Sequence, residues 1–361
     1  MKNMTFRLIY ALLIVVSGLC FGQVSKAIDT ADYLQRKEFL KTFNANNELF
    51  IKKLKSQYSG KTGSDLSKIY KEFGTEFEKQ VKNKDFIFKS DYDSNVKSLI
   101  QRLRSNNPKI PNDLKILIAR DNTPNAYCLL DGTFVINMGL FSWLYNEEEI
   151  AAVIAHELGH RIEEHSFKLF VGIVENNQQD KQTVKNLKGV TENTNQKAFD
   201  ILKNRMYKKG AEKRKQEIEA DSLGYVIFRN NGFQKIEFAN TLKRLQDFDT
   251  ISPRKLKVET YKKFFELPKQ PFKDKWLKKE DFSLYNYNFY KEKLSKDSLA
   301  SHPEITKRIE KLKKLFPELN QTAEPLKPSE SYLALKKKQQ DWKFCRITII
   351  LKIMDRVFTF L

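Results

Sequence analysis

At 361 residues with only three cysteines, the chain is long enough to bury one large core or two smaller ones, and a disulfide framework is excluded as its means of folding. Its 65 Lys and Arg against 45 Asp and Glu give a net charge of +20, but the basic residues are scattered rather than gathered in one tract. That pattern reads as a lysine-rich solvated surface and argues against a nucleic-acid-binding module.

The first 22 residues have the make-up of an export signal: Lys2 and Arg7, an apolar run from Leu8 to Val16, and Cys20-Phe21-Gly22 as a small-x-small site before Gln23. An uncleaved anchor and lipidation at Cys20 are the alternatives, the latter disfavoured by Leu19 where a small residue is wanted. Cleavage would lower the net charge to +18 and leave Cys128 and Cys345, whose pairing the sequence leaves open. The expected location is the periplasm or cell envelope. No later apolar run reaches the roughly 18 residues a membrane span requires.

Residues 23–105 read as an N-terminal helical region. Leu40, Phe43 and Leu54, then Ile69, Phe73 and Phe77, then Val96, Leu99 and Leu103 keep helical spacing, with breaks at Ser59-Gly60 and Lys82 to Lys84, which predicts three helices. A second domain is expected over 106–320. Leu114 to Ala119 and Ala126 to Leu130 are strand-like, and Asp131-Gly132 is a hairpin signal leading into Thr133 to Ile136, so a small antiparallel sheet is predicted. Helices follow at 139–144 and 147–165, the second with Asn146 as N-cap and Glu147 to Glu149 complementing its dipole.

That helix carries His156-Glu157-Leu158-Gly159-His160. Two imidazoles four residues apart lie about 40° apart on a helical wheel, so both can face one ion. Glu157 projects about 100° further round, where it can reach a metal-bound water without ligating the metal, an arrangement suited to metal-assisted hydrolysis. Ile150, Val153, Ile154 and Leu158 would equally suit an ordinary amphipathic helix with histidines by chance. Against this, three of the four histidines fall within 156–165.

Segment 166–210 begins apolar and turns polar from Glu175 to Gln196, predicting a helical extension followed by a surface loop, either an insertion or a lid. From Glu212 a further helix carries Glu217, Asp221 and Gly224 at i, i+4 and i+7. Glycine is costly inside a helix, so Gly159 and Gly224 suggest two helices in close approach. Such a contact would bring Glu217 to the ion held by His156 and His160, giving three ligands and one open position. Taken alone, the acidic residues of this helix would merely offset its lysines. An amphipathic helix follows at 235–248. The aromatic-rich stretch 251–300, with Trp276, Phe282 and Tyr285, either packs or lines a peptide cleft. Ser301-His302-Pro303-Glu304 is a capping-box pattern opening a helix through Phe316. Residues 321–361 read as a linker and a tail, with 344–361 a docking helix or strand.

The ordered set His156-Glu157-Leu158-Gly159-His160, Glu217-Ile218-Glu219-Ala220-Asp221 and His302-Pro303 ahead of Arg308-Ile309, preceded by Asn125-Ala126-Tyr127, resembles the gluzincin peptidases of the HtpX and CAAX prenyl protease family, family forty-eight of the metallopeptidases. The resemblance implies an α+β, mostly helical, zincin-like core. It implies zinc held by His156, His160 and Glu217, with Glu157 as general base and Asp221 orienting a ligand. His302 matches a histidine that, in BepA-like periplasmic members, can approach the zinc as a fourth ligand. Glu219 points away from the Glu217 face and is not chosen. Without hydrophobic spans or a repeat near 34 residues, the chain looks like an exported, soluble member. A metzincin would need glycine at 163 and histidine at 166, where Glu163 and Ser166 stand, with His165 one position off. The expectation is an exported zinc endopeptidase hydrolysing peptide bonds of envelope or misfolded proteins, with Glu157 activating a zinc-bound water. Its partners would be protein or peptide substrates, with peripheral contact to membrane or envelope proteins and none to nucleic acid. The alternative is a chaperone-like binding factor whose latent zinc site is closed by His302. Strand 126–130, if a sheet edge, would hold an extended peptide by strand addition.

Overall fold

The computed structural model describes residues 32–112, 114–175, 194–250, a few positions between 259 and 274, and 304–341 apart from 322 and 325. The predicted signal at 1–22, Cys345, His302, the named aromatics of 251–300 and the tail 344–361 lie outside the described residues.

The first region forms the three expected helices: α1 (Tyr33–Gln57), α2 (Gly60–Lys82) and α3 (Asp91–Ser105). The breaks fall where the polar residues stand. Ser59 precedes α2, and Lys84 adopts a φ of 64° after it. Between α2 and α3, Phe86–Ile87 adds a short strand, β1, that the helical periodicity hides. Helix α3 starts on a capping box: Ser90 Oγ accepts from the Asp93 amide, and the Asp93 carboxylate accepts from the Ser90 amide at 2.8 Å.

Strands β2 (Lys115–Ala119), β3 (Ala126–Cys128) and β4 (Thr133–Asn137) complete a four-stranded sheet in the order β1-β2-β4-β3. The fold is α+β and mostly helical, but the sheet is mixed where an antiparallel one is expected. The Asp131-Gly132 hairpin does join β3 to β4, with Gly132 at φ 86°. Strands β2 and β4, however, pair in parallel, Lys115 opposite Thr133 through Ala119 opposite Asn137. All five β4 residues are buried, so β4 takes the central place, whereas β3 exposes Tyr127 and takes the edge.

Helices α4 (Gly139–Trp143) and α5 (Glu147–Ile162) follow directly. Asn146 caps α5, its Oδ1 accepting from the Glu149 amide at 3.0 Å. The three acids after it do more than complement the dipole, since each ties α5 to a later segment. Glu147 accepts from the Ser329 amide, Glu148 from the Gln234 amide, and the fully buried Glu149 from Arg244 Nε. The helix expected to run to His165 stops at Ile162. Glu164 turns the chain with φ 54°, and α6 restarts at 165–175.

Helix α7 spans Thr194–Arg229, beginning well before the expected Glu212 and taking in part of the predicted loop. Helix α8 (Ile236–Thr250) lies where expected. Helix α9 (Ile305–Leu315) has Glu304 at its N-cap with no side-chain cap bond, and Ser301 of the expected capping box lies outside the described residues. Beyond a 3-10 turn at Pro317–Asn320, the expected linker is an extended strap whose Leu326 carbonyl accepts from Asn146 Nδ2, and α10 (330–341) packs back on the core through Tyr332 and Leu335. One hydrophobic core joins α3, the sheet, α5, α7 and α10 through Val96, Phe134, Ile154, Phe228 and Tyr332. No helix among the described residues is long and apolar enough to cross a membrane.

Candidate metal centre

Helices α5 and α7 touch backbone to backbone, and the two glycines make that possible. A Cβ on Gly159 would stand 2.6 Å from the Ala220 carbonyl oxygen, and one on Gly224 would stand 2.8 Å from His156 Cα. No side chain fits in either place. This contact carries Glu217 across to the paired histidines. His156 Nε2 and His160 Nε2 are 3.1 Å apart, and the Glu217 carboxylate oxygens lie 3.7 Å and 3.5 Å from them. The three ligand atoms all lie within 4.8 Å of one another.

The ring of His156 is aimed from behind, with its Nδ1 2.9 Å from Asp221 Oδ1. Asp221 is in turn gripped by the guanidinium of Arg308, Nε to Oδ2 at 2.7 Å and Nη2 to Oδ1 at 2.6 Å, while Arg308 Nη1 lies 3.2 Å from Glu217 Oε2. A planar fork on a buried carboxylate is the strongest neutralisation a side chain can offer. Although burial works against it, these bonds from Arg308 and His156 hold the Asp221 carboxyl below its ordinary range.

Burial, reinforced by the nearby His156, pushes the His160 pKa down to about 3, which makes it a neutral imidazole with a free lone pair. Burial pushes Glu157 up to about 7 against the opposing pull of His156. Two imidazoles and one carboxylate, with a carboxylate behind the first ring, match the donor chemistry of a zinc site.

The cluster lies in the wall of a cleft of about 780 Å³, where Glu157 is half-buried. Edge strand β3 lines the same cleft through Asn125 to Cys128, and Thr241 and Leu245 of α8 line it further along. In β3 the residues bonded to β4 alternate: the Asn125 carbonyl accepts from the Asn137 amide and the Leu129 amide donates to the Thr133 carbonyl. The intervening main chain of Ala126 and Cys128 therefore faces away from β4.

The structure thus brings His156, Glu157, His160, Glu217 and Asp221 together, as the sequence leads one to expect; His302 is outside the described residues. Two participants were missed. Arg308 stands in the sequence only as part of a motif, yet it occupies the core-facing stripe Ile305, Arg308, Ile309, Leu312, and a charge at such a position is itself a signal of a buried partner. His165 looks in the sequence only like a ligand out of register. It turns back on the site, its Nδ1 2.9 Å from His160 Nδ1 and its Nε2 3.2 Å from Glu219 Oε2.

Paired histidines and an acid from a second helix, set in a cleft beside an edge strand, define the donor set of a metal-dependent hydrolase. Residues 90–316, more than half of the chain, match the family model described as Peptidase family M48, and the chain belongs to that family. It is accordingly a metallopeptidase, of a family whose members are zinc-dependent, and its substrates are proteins or peptides. No curated protein matches it.

Proposed function

We propose that the chain is an exported zinc endopeptidase of the HExxH gluzincin type, with His156, His160 and Glu217 as the metal ligands and Glu157 as the general base. The observation that carries this reading is the convergence of the two Nε2 atoms and the Glu217 carboxylate in the cleft wall, next to Glu157. Zinc bound there would supply the Lewis acidity that polarises a scissile carbonyl and eases deprotonation of water near neutral pH.

The chain's own residues do the rest. Glu157 takes the proton of the attacking water on its carboxylate and delivers it to the leaving amine nitrogen, and a pKa raised towards neutrality suits both halves of that task. Asp221, held by Arg308, keeps His156 Nδ1 occupied so that Nε2 stays available. The outward main chain of Ala126 and the Cys128 amide are placed to pair with an extended peptide by strand addition, the Cys128 carbonyl accepting from Ser166 Oγ at 3.5 Å, and such pairing favours unfolded segments as substrates. Lys2, Arg7 and the apolar run after them support export, and with it misfolded or envelope proteins as targets.

The test is Glu157→Gln assayed on casein, an unfolded probe, with zinc content measured in parallel. Zinc should be retained while cleavage falls by at least about 10²-fold. Undiminished cleavage would remove Glu157 from the mechanism.

A further inference from the structure

A histidine can ligate a metal through Nε2 only if its single proton sits on Nδ1, and that N–H then needs an acceptor. For His156 the group at that position is the carboxylate of Asp221, whose Oδ1 stands 2.9 Å from Nδ1. For His160 it is another imidazole, since His165 Nδ1 stands 2.9 Å from His160 Nδ1, with the rings 75° apart. Two ring nitrogens at that distance form a hydrogen bond only when one of them carries a proton. If His160 donates, His165 Nδ1 must be bare, so the His165 proton must lie on Nε2. That atom faces Glu219 Oε2 at 3.2 Å, an acceptor when ionised.

We infer that Glu219 and His165 form a relay that fixes the tautomer of His160: Glu219 accepts from His165 Nε2–H, His165 Nδ1 accepts from His160 Nδ1–H, and His160 Nε2 is left bare towards the metal. The reverse order fails chemically, because a His165 that donated through Nδ1 would force the proton of His160 onto Nε2, the atom the metal needs. The backbone serves the same end. Helix α5 ends at Ile162, Glu164 takes a positive φ, and the restarted helix places His165, which is 4% exposed, back against the site. Glu219, two residues from Glu217 on α7, points to the other side of the helix and finds His165 there, with Lys215 Nζ 3.4 Å from its second oxygen. His165 and Glu219 are therefore positioning residues, and this role rests on the reading of His160 as a ligand.

The experiment measures zinc affinity by chelator competition on the purified full chain, for the wild type and for His165→Ala, His165→Asn and Glu219→Ala, with apo-protein melting as a fold control. His165→Ala should weaken zinc binding by about 10- to 100-fold. His165→Asn restores an amide oxygen near the position of Nδ1 and should recover most of that loss, which filling space alone would not achieve. Glu219→Ala removes the acceptor at a half-exposed helix position, so its affinity loss carries the test should His165→Ala fail to fold. In zinc-loaded protein with ¹⁵N-labelled histidine, His165 should read as protonated on Nε2 and bare on Nδ1. Unchanged affinity in both His165→Ala and Glu219→Ala, or a His165 protonated on Nδ1, overturns the relay. A wild type whose zinc binding does not depend on His156 and His160 overturns the ligand assignment instead, and so separates the two failures.

Discussion

Arg308 shows what a single residue does here. Its guanidinium is 8% exposed and serves both Asp221 and Glu217, two acids that would otherwise be buried beside each other without compensation. Removing one partner of a buried charge cluster costs about 3–5 kcal/mol, so Arg308→Ala should lose that much in urea unfolding and should also bind zinc more weakly. Arg308→Lys keeps a charge but not the fork and should fall between the two. Cys128, in the cleft, has its thiol pushed up to about 12 by burial, against the pull of Arg161. With Cys20 and Cys345 replaced by serine, reduced protein should therefore react with iodoacetamide at pH 8 far more slowly than free cysteine, because little thiolate forms. The cluster of His156, His160 and Glu217 was legible because two histidines at i and i+4, and an acid two turns before a helical glycine, have few other reasons to coincide. His165 was not legible as a participant, since its contact with His160 depends on a chain reversal at Glu164 that no local signal announces.

Among the elements, the crossing of α5 and α7 sets the geometry of the site, and it depends on absent side chains. Gly224→Ala would press a Cβ against the His156 backbone and should destabilise by about 1–3 kcal/mol, with zinc affinity falling as the helices part. Gly172, in α6, has nothing within 4 Å of its would-be Cβ, and Gly172→Ala should instead stabilise by about 0.5–1 kcal/mol. Thermal melts of the two variants should move in opposite directions. The helix expected from Glu212 starts instead at Thr194 and runs through Gly210, a residue that weakens but does not break a helix. The parallel pairing in a sheet expected to be antiparallel has a related reason. Hairpin chemistry at Asp131-Gly132 fixes which strands are joined, but a parallel partner such as β2 is chosen by burial on both faces of β4, which a run of five apolar and polar residues does not advertise.

Across the whole molecule, the C-terminal part of the described chain is structural where a linker was expected. Tyr332 is fully buried, its hydroxyl 3.2 Å from the Leu144 carbonyl it donates to, and its ring joins the core beneath α4. Tyr332→Ala should cost about 3–5 kcal/mol, measurable as a lowered urea midpoint. The proline-containing composition of 321–331 resembles a spacer, and only the hydrogen bonds it makes with distant residues reveal a strap. Those bonds end at the N-terminus of the zinc-motif helix: Leu326 accepts from Asn146, 180 positions earlier, and Ser329 donates to Glu147, 182 positions earlier. Ribosomes add about 5–20 residues per second, so on the order of 10–40 s separate the synthesis of that helix from the arrival of the segment that secures its first turn. Over that interval the nascent chain carries the His156–His160 helix with this clamp on its first turn still unmade.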